Sequence, residues 1–321
     1  MLTSARLVLK HHRFEVGAAA ILGLLAAVAA LVVSYRLNAI GVPAGCFEQW
    51  LTGGGAEGAG DCAGPVQAFA QINEGEAGKL LAFMAVMPFI VGLLAGVSIV
   101  GRELESRTAQ LGWALTPSRH RWLARQVGPI LLVVIVVVAL AAAAASVLEA
   151  TREPWYHSTY GDLSLHGWPV IGRAVAAFSV GLLVGAVVGR SLPALIVAAV
   201  ACVVLLLFDG MAQDAWYRAN YEVIADPTAV NNGTFDGIYG DTRWRTPDGQ
   251  SIDQEAAFQQ VPSGVDDPNQ WLLDHGYTAV ALGVPASKAG QLAALDTAGL
   301  LGVALVVGLA TVPVVDRRRP V

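Results

Sequence analysis

Six apolar runs constrain this chain more than any other feature of its sequence. Val16–Val33 is unbroken by a polar side chain, Leu80–Gly101 contains only Ser98, and Val127–Leu148 is rich in Val and Ala. Ala174–Gly189 and Leu192–Phe208 are separated by Arg190-Ser191, and Ala298–Val315 is the sixth run. A bilayer core about 30 Å thick is crossed by roughly 20 residues of helix rising 1.5 Å each. One such run fits a buried soluble helix; six do not. The first run is long for a cleaved signal peptide, and no small-residue cleavage site is obvious before Tyr35-Arg36. The expected fold class is all-α integral membrane, with six transmembrane helices.

Composition supports this reading. Of the 321 residues, 55 % are hydrophobic and 14 % charged, against about 25 % charged in an average soluble domain. The three lysines are Lys10, Lys79 and Lys288, and none stands in the Gly-x-x-x-x-Gly-Lys-Ser/Thr loop that holds nucleotide phosphates. The chain is therefore not expected to hydrolyse ATP alone. A net charge of −5, with no basic patch outside short loops, disfavours nucleic acid as a partner.

The Lys/Arg distribution orients the spans. Arg6, Lys10 and Arg13 precede the first; Arg102, Arg107, Arg119, Arg121 and Arg125 follow the second; Arg190 lies between the fourth and fifth; Arg317, Arg318 and Arg319 end the chain. Six spans put these four segments on one side, expected to be the cytoplasm of a plasma membrane. Asp209–Gln291, on the other side, has twelve acidic residues against four Lys/Arg. The expected layout is an N-terminal segment 1–15, TM1 16–35, an extracytoplasmic loop 36–78, and TM2 79–101. A cytoplasmic segment 102–126, TM3 127–148, an extracytoplasmic loop 149–169, TM4 170–189 and TM5 192–208 follow. An extracytoplasmic region 209–291, TM6 296–315 and a cytoplasmic tail 316–321 complete it.

Cys46 and Cys62 share the first external loop, while Cys202 falls inside the fifth span. A pair on the oxidising face reads as a disulfide; the alternative is two free thiols.

Catalytic chemistry is not evident. The six histidines (His11, His12, His120, His157, His166 and His275) show no His-x-x-x-His spacing, so no metal site is expected, and no Gly-x-Ser-x-Gly elbow occurs. Asn232-Gly233-Thr234 fits the glycosylation sequon, a short and common pattern that says nothing without a eukaryotic context. The runs carry no acid or histidine in their interiors, which argues against an ion-coupled transporter. Arg173 and Asp296 lie at span edges. The expectation is that Arg173 snorkels to the headgroups and Asp296 begins its helix as an N-terminal acid; the alternative is a pair at the mouth of a translocation path.

The distinctive segment is Gly101–Trp122. Leu104, Thr108, Leu111 and Leu115 recur at i, i+4, i+7 and i+11, one helical stripe. Glu103 and Arg107 form an acid-then-base i, i+4 pair expected on the solvent side. Thr116-Pro117 breaks the helix, Ser118 can cap the next, and Arg119, Arg121 and Trp122 suit a membrane boundary. This run resembles the signature of actinobacterial ABC-2 type (type V) permeases: Gly-Arg-Glu-x-Glu-x-x-Thr-x-x-x-x-Trp, then a Pro-Ser/Val-Ser-Arg-x-Arg-Trp stretch. The chain is similar to that family throughout in its six spans and cationic N-terminal segment.

The resemblance implies a permease subunit, an exporter, working as a homodimer with two copies of a separate ATP-binding subunit. ATP and magnesium would be bound by that partner, and this chain holds no cofactor. Segment 102–126 would be the coupling segment, with Glu103, Leu104, Glu105, Arg107, Thr108, Leu111 and Leu115 at or near the ATPase. Segment 1–15, with Arg6, Lys10 and Arg13 on one face, would be the family's interfacial elbow helix in contact with lipid headgroups; the alternative is a topology signal with no fixed structure. Pro285-Ala286-Ser287-Lys288 keeps the family's Pro-Ala and a base before the last span but lacks its aromatic pair, which leaves the substrate unassigned. The competing reading is a membrane receptor or sensor that binds a ligand through region 209–291.

Overall fold

The computed structural model describes residues 2–52, 60–106, 108, 118–156, 167–224, 237–262, 264–265 and 267–317. Helix α1 (Leu2–His11) is followed after one residue by α2 (Arg13–Ile40). Two short helices, α3 (Cys46–Thr52) and α4 (Ala63–Ile72), lead through a wide π turn, Asn73–Ala77, into α5 (Gly78–Glu105). Then come α6 (Arg119–Tyr156), α7 (Gly167–Val188) and α8 (Ser191–Asn220). Strands β1 (Glu222–Ile224), β2 (Gly237–Arg245) and β3 (Ser251–Asp253) precede short helices α9 (Gln254–Phe258) and α10 (Pro268–Asp274). Strand β4 (Thr278–Pro285) runs directly into the last helix, α11 (Ala286–Arg317).

Six of these helical segments are long and apolar enough to cross a membrane, and each carries one of the six runs, the fourth except for its last residue, Gly189. They outlast the runs. Helix α8 has 30 residues and so spans about 45 Å at 1.5 Å per residue, well beyond a 30 Å hydrocarbon layer.

At the bundle centre, 67 % of the most apolar window of α7 and 61 % of that of α5 are buried, against 17 % in α8. Glycines explain the close pairing of α5 with α7. A Cβ on Gly92 would lie 2.3 Å from the Ala174 carbonyl oxygen, and one on Gly96 2.1 Å from that of Phe178. From the other helix, a Cβ on Gly181 would lie 2.9 Å from the Leu93 oxygen, and one on Gly185 2.9 Å from that of Val97. Each helix thus presents Gly-x-x-x-Gly, the small-residue spacing that lets backbones touch where lipid offers no hydrophobic drive to association. On α8, Leu192, Ile196, Val200, Val203, Leu207 and Phe208 are exposed, which in a membrane protein is a surface for lipid or another helix.

One end of the bundle gathers α1 and the last residues of α11 around the end of α5 and the start of α6. The other end is braced by polar contacts. Arg152 of α6 donates to Asn73 (2.6 Å) in the π turn and to Glu149 (2.9 Å), while Ser34 and Thr151 are hydrogen-bonded at 2.7 Å. Arg36 pairs with Glu76 there. Cys46 and Cys62 are joined as a disulfide, with Cα atoms 5.2 Å apart, holding α3 against the start of α4.

Beyond α8 the chain forms a four-stranded antiparallel sheet of order β1-β4-β2-β3. Its own small core holds Trp244, Ala257 and Leu272. Asp253 caps α9 by accepting from the Ala256 amide (2.7 Å), and Asp267 caps α10 through Asn269 (2.9 Å) and Gln270 (3.2 Å). These acids of region 209–291 begin helices as well as facing solvent. Lys288 at the start of α11 pairs with Glu222 of β1 at 2.8 Å, tying the sheet to the helix that leaves it. The mostly helical membrane architecture is as the sequence leads one to expect, and region 209–291 divides into a helical extension to Asn220 and this sheet.

Candidate functional site

Two polar centres interrupt the apolar bundle, one at the end holding the termini and one deeper toward the sheet.

The first is built around the end of α5. The helix continues past the apolar run because Arg102, Glu103, Leu104 and Glu105 are strong helix formers. Glu103 is 5 % exposed. Its carboxylate lies 2.9 Å from His11 Nε2 on α1, and its other oxygen accepts from the Thr108 hydroxyl. This corrects the expectation that Glu103 faces solvent: α1 packs over it. Two residues on, exposed Glu105 accepts from the Ser191 backbone N–H at 3.0 Å, the first amide of α8, where a carboxylate satisfies a helix-start donor. Arg102 pairs with Glu15 of α2. Arg119, opening α6, donates to the Val315 and Asp316 carbonyls at 3.1 and 2.7 Å, the C-terminal groups of α11 that lack helical partners.

The ends of α5 and α6 are thus fastened to α1, α2, α8 and α11. Leu104 is half-buried against the central core and Thr108 is exposed. Arg107, Leu111 and Leu115 lie outside the described residues. Trp122 is buried at 6 %, packed inside the bundle. On α1, Arg6 and Lys10 are exposed while Val8 and Leu9 lean on the core. A cavity of about 470 Å³ opens between α2, α5 and α8, lined in part by Phe14, Glu15, Ser98, Arg102, Glu105 and Ser191.

His12, between α1 and α2, is 1 % exposed. Burial, and after it the neighbouring His11, holds its ring below the usual histidine range, so the neutral form is favoured.

The second centre joins three helices. Arg173 of α7 donates to Asp209 of α8 at 2.9 Å through Nε and at 2.8 Å through Nη2, and its guanidinium lies 4.0 Å from Asp296 of α11. All three side chains are at most 8 % exposed. The snorkelling expectation for Arg173 is therefore overturned: a partner stands within reach on the neighbouring helix, and the side chain turns inward to it. Asp296 begins no helix either, since α11 starts ten residues earlier at Ala286. The expected layout makes Asp209 the first residue of the external region; α8 instead carries it inside the bundle. The length of the preceding run was the available signal: Leu192–Phe208 rises only about 25 Å as helix, short of the bilayer core. A cavity of about 360 Å³ adjoins the cluster, with Asp209, Gln213, Trp216 and Asp296 among largely apolar neighbours.

Residues 18–212 match the family model described as ABC-2 membrane transporter related, and the chain belongs to that family. The match covers α2 through most of α8, including both polar centres' α5, α7 and α8 members, and ends before the sheet. No curated protein and no solved structure matches the chain.

Proposed function

We propose that this ABC-2 membrane transporter related protein is the permease half of an exporter, working as a homodimer with two copies of a separate ATP-binding subunit. Family membership makes it a multi-pass membrane protein and a transporter subunit, and implies association with an ATP-binding subunit. The finer reading rests on one observation: the end of α5 is fastened on three sides, by Glu103 to α1, by Arg102 to α2 and by Glu105 to α8. A load applied to the chain between α5 and α6 reaches those helices through short polar contacts, and reaches α11 through Arg119.

In this reading the ATPase docks on segment 102–126. Thr108, Arg107, Leu111 and Leu115 face it, while Glu103, Leu104 and Glu105 brace the segment from behind. The end bearing the termini faces the cytoplasm, in keeping with its arginines. The sheet and the Cys46–Cys62 bridge face outside, where a disulfide persists. ATP and magnesium are held by the partner, and the chemistry of hydrolysis takes place there. The cavity beside Asp209 and Asp296 is the polar interruption from which a substrate path through the bundle would start.

The test is capture of the ATPase by Leu111→Glu/Leu115→Glu protein in membranes matched for permease content. Leu104 is left unchanged because it packs inside the bundle. Loss of capture with normal insertion is expected, since hydrophobic anchors at an interface centre contribute about 2 kcal/mol or more each. Undiminished capture and transport would mean that the partner docks elsewhere.

A further inference from the structure

His11 and His12 occupy the joint between α1 and α2, and Glu103 lies two residues from the end of α5. One ligand atom from each of the three falls within 4.8 Å of the other two. Adjacent residues of a continuous helix point about 100° apart. Here the chain leaves helical geometry at His12 (φ −95°, ψ 26°), and the two rings stand edge to face with centroids 5.0 Å apart. Both imidazoles are thereby turned toward the same carboxylate. His12 is almost fully enclosed, yet neither of its ring nitrogens has a hydrogen-bond partner among the described residues. Burying a polar ring without partners is costly, and buried polar groups are as a rule satisfied.

We propose that His11, His12 and Glu103 bind a divalent transition-metal ion of the zinc class, clamping the α1–α2 joint to the end of α5. Two imidazoles and one carboxylate are a donor set zinc accepts, leaving a fourth position for water or another oxygen. Nitrogen-rich donors favour zinc, nickel and copper over magnesium or calcium. A bound ion would supply the partner that the His12 ring lacks. Thr108 donates to the second oxygen of Glu103, the outer-sphere contact that orients a ligating carboxylate. Glu15 has one carboxylate oxygen paired with Arg102 and the other buried without a partner among the described residues. That unpartnered oxygen sits on α2, three residues beyond His12 in the chain. The site goes beyond the transport reading and does not depend on it.

The experiment uses the purified full chain, free of an oligohistidine tag and stripped of metal, titrated with cobalt(II). Wild-type protein is expected to take up one equivalent, with the visible absorption of four- or five-coordinate cobalt, and to release it to zinc. Glu103→Gln and His12→Ala should each weaken cobalt binding at least tenfold. Because His12→Ala also opens a cavity, His11→Ala is measured beside it: that ring is 56 % exposed, so its loss spares the core, and it should weaken binding by a similar factor. No visible band with wild-type protein overturns the proposal. So does a band that keeps its strength in both His11→Ala and Glu103→Gln.

Discussion

Arg173 and Asp209 form a buried ion pair in which two guanidinium nitrogens, Nε and Nη2, converge on one carboxylate oxygen at 2.9 and 2.8 Å. Asp296 stands 4.0 Å from the same guanidinium, so one cation serves two acids contributed by two other helices. Long-range electrostatics here fixes how α7, α8 and α11 meet, because a charge inside a bundle must find its partner there.

Removing the cation should therefore cost more than removing the cluster. Arg173→Met leaves two carboxylates without their counter-charge and is expected to lower stability by about 3–5 kcal/mol, the range for breaking a buried pair. Arg173→Met combined with Asp209→Asn and Asp296→Asn should recover much of that loss. Thermal unfolding in one detergent compares them; equal midpoints for the single and triple variants would refute the pairing.

The α5–α7 crossing predicts a steric effect with an internal control. At Gly96 an added Cβ would lie 2.1 Å from the Phe178 oxygen, while nothing lies within 4 Å of that atom at Gly128. Gly96→Ala should destabilise by about 1–3 kcal/mol, as overpacking does, and Gly128→Ala should not. The ratio of monodisperse to aggregated protein after graded heating reads the difference.

The disulfide should protect both its cysteines. Maleimide labelling of native membranes is expected to leave Cys46 and Cys62 unmodified until reduction, with Cys202 shielded by burial in α8. Replacing both bridge cysteines by serine should lower stability by about 3 kcal/mol, the loop-closure figure for a bridge of this span. Labelling of both before reduction would rule the bridge out.

Glu105 offers a way to separate bracing from docking. Glu105→Ala removes the acceptor from the Ser191 amide at 3.0 Å, an exposed contact at the start of α8, so the fold should be retained. Capture of the ATPase should be unchanged while transport per ATP hydrolysed falls. Reduced capture with unchanged coupling would place Glu105 at the partner interface instead.

Orientation is checked by reporter fusions. Fusions after Arg125 and after Arg319 should report cytoplasm, and fusions near Gly58 or Gly249 the exterior. An exterior signal from the Arg125 fusion would overturn the proposed topology.

The helices of this protein were legible one at a time. Local hydrophobicity decides which segments enter a membrane, so runs such as Val16–Val33 and Leu80–Gly101 announced themselves without reference to one another. The sequence layout ends the second span at 101, whereas α5 runs on to Glu105. What the sequence left open required partners far along the chain. Glu103 read as a solvent residue because its helix spacing says nothing about α1 folding over it. Sequence leaves Arg173 at a span edge, since its partner Asp209 is 36 positions away, just beyond the end of an apolar run. His11 and His12 showed no metal spacing because the carboxylate that meets them stands on another helix. Periodicity determines which elements form, whereas burial and charge pairing are settled only when helices pack, and both polar centres belong to that second step.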